Sequence, residues 1–172
     1  MDKKAQTLIE MLIASAIVVV FFTSALGIFV VGKVMYESSM AAQELQRDVD
    51  GVLATIVRGV RENGTNTGIR SASSVTIPSV TEADFVGSDG TARKFYLAPG
   101  GIVYDSPKQS PNPQTLYRTP PNATITLRFW KLSLTNNETV GIYLAVARTV
   151  SDKKVSGSLQ TYVNIKNMSP GG

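Results

Sequence analysis

The chain has 172 residues, with 17 Lys and Arg against 13 Asp and Glu for a formal net charge of +4, and neither cysteine nor histidine. Those two absences exclude a disulfide framework and a thiolate metal site, and they remove the commonest general base and zinc ligand. The two absences thus argue against most catalytic designs before any motif is sought, and the length suits one membrane segment and one modest globular domain with a single sheet-based core.

The first predicted element is apolar. From Met11 to Gly32 there are 22 residues without a charge, opened by Glu10 and closed by Lys33. At ~1.5 Å of rise per residue such a helix crosses a ~30 Å hydrocarbon core. A carboxylate near that environment costs about 3 kcal/mol, so Glu10 calls for a partner. Lys3 and Lys4 precede the run and only Lys33 closely follows it, which places the N-terminus in the cytoplasm and the rest outside. The same start fits a secretory signal cut at Thr23-Ser24-Ala25. Against that stand Glu10 at the head of the run and a helical pattern that continues past Ala25. Thr7-x-x-Glu10 also fits a capping box, where an acid favours the helix dipole.

The residues Lys3-Lys4-Ala5-Gln6-Thr7-Leu8-Ile9-Glu10-Met11-Leu12-Ile13-Ala14 resemble the processing signal of type IV pilins and type II secretion pseudopilins. The resemblance implies a leader of residues 1–5 and cleavage between Ala5 and Gln6 by a prepilin peptidase. It further implies N-methylation of Gln6 and a transmembrane and assembly helix over residues 6–32. Glu10 takes the place of the family's glutamate, which pairs with the new α-amino group of a neighbouring subunit. Ala5 stands where the family usually has Gly, and Gln6 where it usually has Phe. Partners implied are the peptidase, other pilin or pseudopilin subunits in a hetero-oligomeric fibre, an inner-membrane assembly platform, and membrane lipid before assembly. No cofactor and no catalytic residue is implied.

Gly27 and Gly32 interrupt the run. They permit local unwinding, since Gly lowers helix propensity by about 1 kcal/mol against Ala, or they permit close helix approach. Next, Leu45, Val49, Val52 with Leu53, Ile56 and Val60 recur at helical spacing with Glu44, Arg47, Asp48 and Asp50 between them. This predicts an amphipathic helix over residues 33–62, continuous with the span or separate from it, stopped at Glu62-Asn63-Gly64 and presenting its stripe to a sheet.

Residues 63–172 carry eleven Lys and Arg against six Asp and Glu, a net of +5. They read as an antiparallel β domain outside the cytoplasm. A Gly-, Asn-, Thr- and Ser-rich loop opens it over 63–74. Short strands are expected at 74–77 and 84–86, and a hairpin pairs 93–97 with 102–104 around Pro99-Gly100-Gly101. Five prolines between Asp105 and Asn122 predict an exposed loop. Residues 123–134 alternate, with Ile125, Leu127, Phe129 and Lys131 on one face and Thr124, Thr126, Arg128 and Trp130 on the other. Strands at 140–147 and 159–165 follow, the first joined to 123–134 by a turn at Asn136-Asn137. The fold class is therefore α+β, a long N-terminal helix packed on an antiparallel sheet, as in the pilin-like plan. Within that family the order is nearer to minor pilins and J-type minor pseudopilins.

The remaining chemistry is sparse. Asp84, Asp89, Asp105 and Asp152 lie scattered among turn residues, where Asp is ordinary, and no metal cluster is expected. Trp130 with Arg128 and Lys131 suggests stacking on DNA bases, the lesser reading beside Trp130 as core or packing surface. Two rivals stand beside the fibre subunit. One is a single-pass anchored binding or sensor domain that never polymerises; the other is a secreted soluble β domain.

Overall fold

The computed structural model describes residues 3–62, 65–107, 111–134 and 137–165. Helix α1 (Lys3–Arg58) runs through both compact units of the chain, Met1–Met40 and Ala41–Gly172. It is unbroken at Gly27 and Gly32, where an added Cβ would meet nothing within 4 Å. The helix ends at Arg58 and not at the predicted Glu62-Asn63-Gly64, of which Asn63 and Gly64 lie outside the described residues. Gly59 ends it: its φ of +92° leaves the helical region, and its N–H still reaches the Thr55 carbonyl at 2.7 Å.

In the unit from Ala41 onward, the predicted stripe is the buried face of α1. Leu45, Val49, Leu53 and Ile56 are nearly sealed from solvent, and Val52 joins them. Burying each such side chain contributes roughly 1.5–3 kcal/mol. Glu44, on the same stretch, donates no apolar surface but pairs with Arg148 at 2.8 Å.

Two principal antiparallel sheets share this core where the sequence suggested one. After a two-stranded ladder, β1 (Arg61–Glu62) with β2 (Thr65–Asn66), and a 3-10 turn at Ile69–Ser71, the first sheet is a meander. It comprises β3 (Ser74–Ser79), β4 (Glu82–Val86), β5 (Ala92–Ala98), β6 (Gly101–Asp105) and β7 (Gln114–Arg118), in that spatial order. The predicted 93–97/102–104 hairpin is β5–β6, with Leu97 opposite Ile102. Strand β7 corrects the proline-rich segment: four of its five residues pair with β6. Pro113 and Pro120 sit outside the strand, and β7 is the sheet's edge, where a proline-flanked strand is tolerated. Tyr117 on β7 is half-buried, and this burial, with the nearby Asp48 carboxylate, pushes its hydroxyl's ionisation upward.

The second sheet has three long strands, β8 (Ala123–Leu134), β9 (Asn137–Val150) and β10 (Lys153–Asn164), in hairpin order. β9 and β10 are longer than predicted because Ser151 and Asp152, both at positive φ, make a two-residue turn between them. The two sheets touch where the Phe129 amide donates to the Val80 carbonyl at 2.7 Å. β10 meets α1 at Gly157, where a Cβ would lie 2.9 Å from the backbone of Leu45 and Gln46. Any side chain there would push the sheet off the helix.

Aromatic rings fill the first sheet's inner face. Phe85 stacks on Phe95 at 5.1 Å between centroids, and Phe95 meets Tyr104 at 5.0 Å. The Tyr104 hydroxyl donates to Thr67 Oγ1 at 3.0 Å, and that hydroxyl donates in turn to the Val60 carbonyl at 2.7 Å, tying the segment after α1 to β6.

One charge is buried in the first sheet. Arg93 lies almost wholly inside, satisfied by Asp89 in the β4–β5 turn at 2.6 and 2.7 Å and by Ser106 Oγ at 3.1 Å. Asp89 also accepts the Thr91 amide at 3.0 Å. The Arg93 guanidinium and that amide hold the Asp89 carboxyl well below the usual carboxylate range. A depressed carboxyl stabilises the fold above its unfolded value of about 3.9 and loses that contribution as pH falls toward the folded value. The stability difference between wild type and Asp89→Asn is therefore expected to hold from neutral pH to about pH 4 and to shrink below it. Thermal melts across that range check this; a difference constant down to pH 2 would remove the ion pair as its cause.

Candidate functional site

Two surfaces concentrate what the folded core leaves over. The first is α1 up to Met40. Between Met11 and Gly32 its large side chains are apolar and exposed: Met11 is 77% accessible, Phe21 and Phe29 are 70%, and Ile28 is 75%. A stretch of this kind has no polar face to turn to water. It is the one helix, among the described residues, that is long and apolar enough to cross a membrane.

The few hydroxyls in the run bond to their own helix. Ser15 Oγ donates to the Leu12 carbonyl, Thr23 Oγ1 to that of Val19 and Ser24 Oγ to that of Val20, each at 2.8 Å. Back-bonding of this sort removes the cost of placing a hydroxyl where no water can reach it. Beyond the run, Lys33 and Glu37 form an exposed i,i+4 pair at 3.8 Å.

Glu10 is different. It is exposed on the helix surface, is the one ionisable side chain between Thr7 and Gly32, and has no bonding partner among the described residues. α1 begins at Lys3 and has no acid in its first turn, so Thr7 and Glu10 stand inside the helix and not at its cap. Ala5 and Gln6 belong to the first turns of the same helix.

The second surface is the face of β8–β9–β10 turned away from the core. The predicted alternation of β8 holds: Leu127 and Phe129 are buried, while Thr124, Thr126, Arg128 and Trp130 point the other way. Lys131 follows the inner register but emerges at the rim, ion-paired with Glu138. Arg128 and Trp130 therefore share a face that Lys131 does not, and the three-residue stacking group suggested by the sequence is not assembled.

Trp130 is not in the core. Its register partner on β9 is Gly141, and a Cβ there would overlap the indole. The ring thus lies across the central strand, with Tyr162 of β10 edge-on at 5.9 Å. Beside it Thr126, Arg128, Trp130, Tyr143 and Gln160 line an open depression of about 490 Å³. Sequence alternation identified the β8 members. Tyr143 and Gln160 could be placed only once the β8–β9–β10 register set them opposite Arg128.

A second concavity of about 410 Å³ lies where Val57 and Arg70 approach β10. No group of three Asp or Glu stands close enough to hold a metal ion among the described residues. No protein-family model, curated protein or solved structure matches the chain.

Gly141 decides how the indole lies. Gly141→Leu should lift Trp130 from the sheet into water and shift its emission to longer wavelength. Trp130 is the chain's one tryptophan, so the spectrum reads this position alone, and an unshifted spectrum would contradict the arrangement.

Proposed function

We propose that the chain is a fibre-forming subunit, a minor pilin or pseudopilin, made with a membrane-spanning helix and assembled through it. The observation that carries the reading is the stretch of α1 from Thr7 to Gly32, exposed and apolar around its circumference, whose one charged side chain, Glu10, stands near its N-terminal end. The likeness of the Lys3–Ala14 segment to the pilin processing signal supports the same conclusion, as does the α+β order of one long helix followed by antiparallel sheets.

In this reading the N-terminus lies in the cytoplasm and the β domain outside. A prepilin peptidase cuts between Ala5 and Gln6, which creates an α-amino group that is largely protonated near neutral pH. An unpaired carboxylate in hydrocarbon is unfavourable by about 3 kcal/mol, and so is an unpaired ammonium. Pairing the Gln6 amine of an incoming subunit with Glu10 of its neighbour removes both costs at once. It also fixes register, because any other axial offset leaves both charges unmatched. The rest of the helix surface is indifferent to offset, being apolar throughout. Lipid holds the subunit before assembly, and an assembly platform in the inner membrane draws it out. The chain catalyses nothing in this account; it is the peptidase's substrate.

Mass spectrometry of the mature N-terminus tests processing. A methylated chain beginning at Gln6 is expected. An uncut chain would make the protein a membrane-anchored binding domain, and one beginning at Leu26 would make it a secreted β domain.

Glu10→Ala tests pairing. The variant should insert in the membrane as wild type does, yet enter fibres several-fold less, as scored by immunoblotting of sheared fibres. Wild-type incorporation would rule out the pairing.

A further inference from the structure

The outer face of β8–β9–β10 is chemically one-sided. Its outward register carries the cations Arg128 and Lys154 and, among the described residues, no carboxylate. Arg128 is exposed and has no acidic partner among them. Next to it the indole of Trp130 lies over Gly141, and Tyr143 stands opposite Arg128 on β9. Further along, the central strand presents Ala145, Ala147 and then Thr149, flanked by Thr and Ser side chains of β8 and β10. The result is a shallow lane with an aromatic end, hydroxyl margins and one unengaged guanidinium.

Each part selects a ligand feature. An indole lying on the sheet offers a broad apolar plane for the face of a ring. Gln160, Thr126 and the flanking hydroxyls each donate and accept, which suits a ligand covered in hydroxyls. Guanidinium is the side chain that holds a carboxylate in bidentate fashion.

Charge density decides between polymers. Arg128 lies opposite Tyr143 and Lys154 opposite Thr149, six residues apart on β9, or roughly 20 Å at ~3.3 Å per residue. A single nucleic-acid strand would lay several phosphates along that distance against two cations, although affinity for it rests on neutralising them. A polysaccharide acidic only at alternate sugars carries half the charge per unit and covers the rest with hydroxyls.

We propose that this face binds an acidic polysaccharide whose uronate sugars alternate with neutral ones, one sugar stacked on Trp130 and a uronate carboxylate held by Arg128. The site stands on the β domain's own geometry, whether or not the chain polymerises.

The test uses the full chain in zwitterionic detergent and reads Trp130 emission. The probes are hyaluronan oligosaccharides, the same oligosaccharides with their carboxyls reduced to alcohols, and oligo-dT of similar length. Hyaluronan should give a saturable change, and Arg128→Gln should weaken it about tenfold. Carboxyl reduction should weaken binding to wild type by a similar factor and leave it indifferent to Arg128→Gln. Arg118→Gln, an exposed cation on β7 of the other sheet, should change nothing. Three results would overturn the proposal: no saturable change in wild type, an equal loss in Arg118→Gln, or tighter binding of oligo-dT than of hyaluronan.

Discussion

A helix with no polar face has to leave water, and the rest of this molecule is arranged around that constraint. From Met11 through Val31 α1 carries no charge and its apolar side chains are exposed all round; from Ala41 the same helix confines its apolar residues to one stripe, led by Leu45, Val49 and Ile56. The change is written in charge placement. Glu44, Arg47, Asp48 and Asp50 supply the second stretch with a wet side, whereas the first has none to offer. One element therefore carries its apolar residues in two ways, exposed all round in its first half and gathered against a sheet core in its second.

The internal solution depends on close approach. Gly157 lets β10 meet the helix backbone near Leu45, and the stripe then seals against side chains from both sheets. The buried Arg93 could have been a weakness, since an unpaired guanidinium in the interior costs several kcal/mol. Asp89 and Ser106 remove that cost with bonds from the adjoining turn and the end of β6. Without cysteine the domain has no covalent cross-link, so cohesion rests on packing and on such local satisfaction.

Much of this was legible in the residues. Helical spacing identified the buried stripe, since residues at three- and four-step intervals must share a face. Period-two alternation identified both faces of β8. The misses have physical causes. The helix stop was placed at Asn63-Gly64 because both favour helix ends, yet Gly59 comes first and takes the positive φ. β7 was hidden by flanking prolines, which bar a central strand but not an edge one. The second sheet was invisible because splitting ten strands between sheets depends on long-range pairing that no local pattern encodes. Alternation alone leaves Trp130 as core or packing surface, and its register partner Gly141 explains how the ring lies flat on the outer face. Glu10 and the run beside it were plain from charge alone, whereas Tyr143 and Gln160 needed the register.

The back-bonded hydroxyls of Ser15, Thr23 and Ser24 bear on more than local satisfaction. Because they keep their bonds within the helix, no polar group on that surface except Glu10 has to exchange partners when the surroundings change. To such a helix, acyl chains and the flank of another apolar helix are nearly the same solvent. Its partition between the two is then close to level, set by packing and by a single carboxylate. A nearly level partition can be tipped either way by little work, so for a helix of this kind packing and one carboxylate decide between the two surroundings.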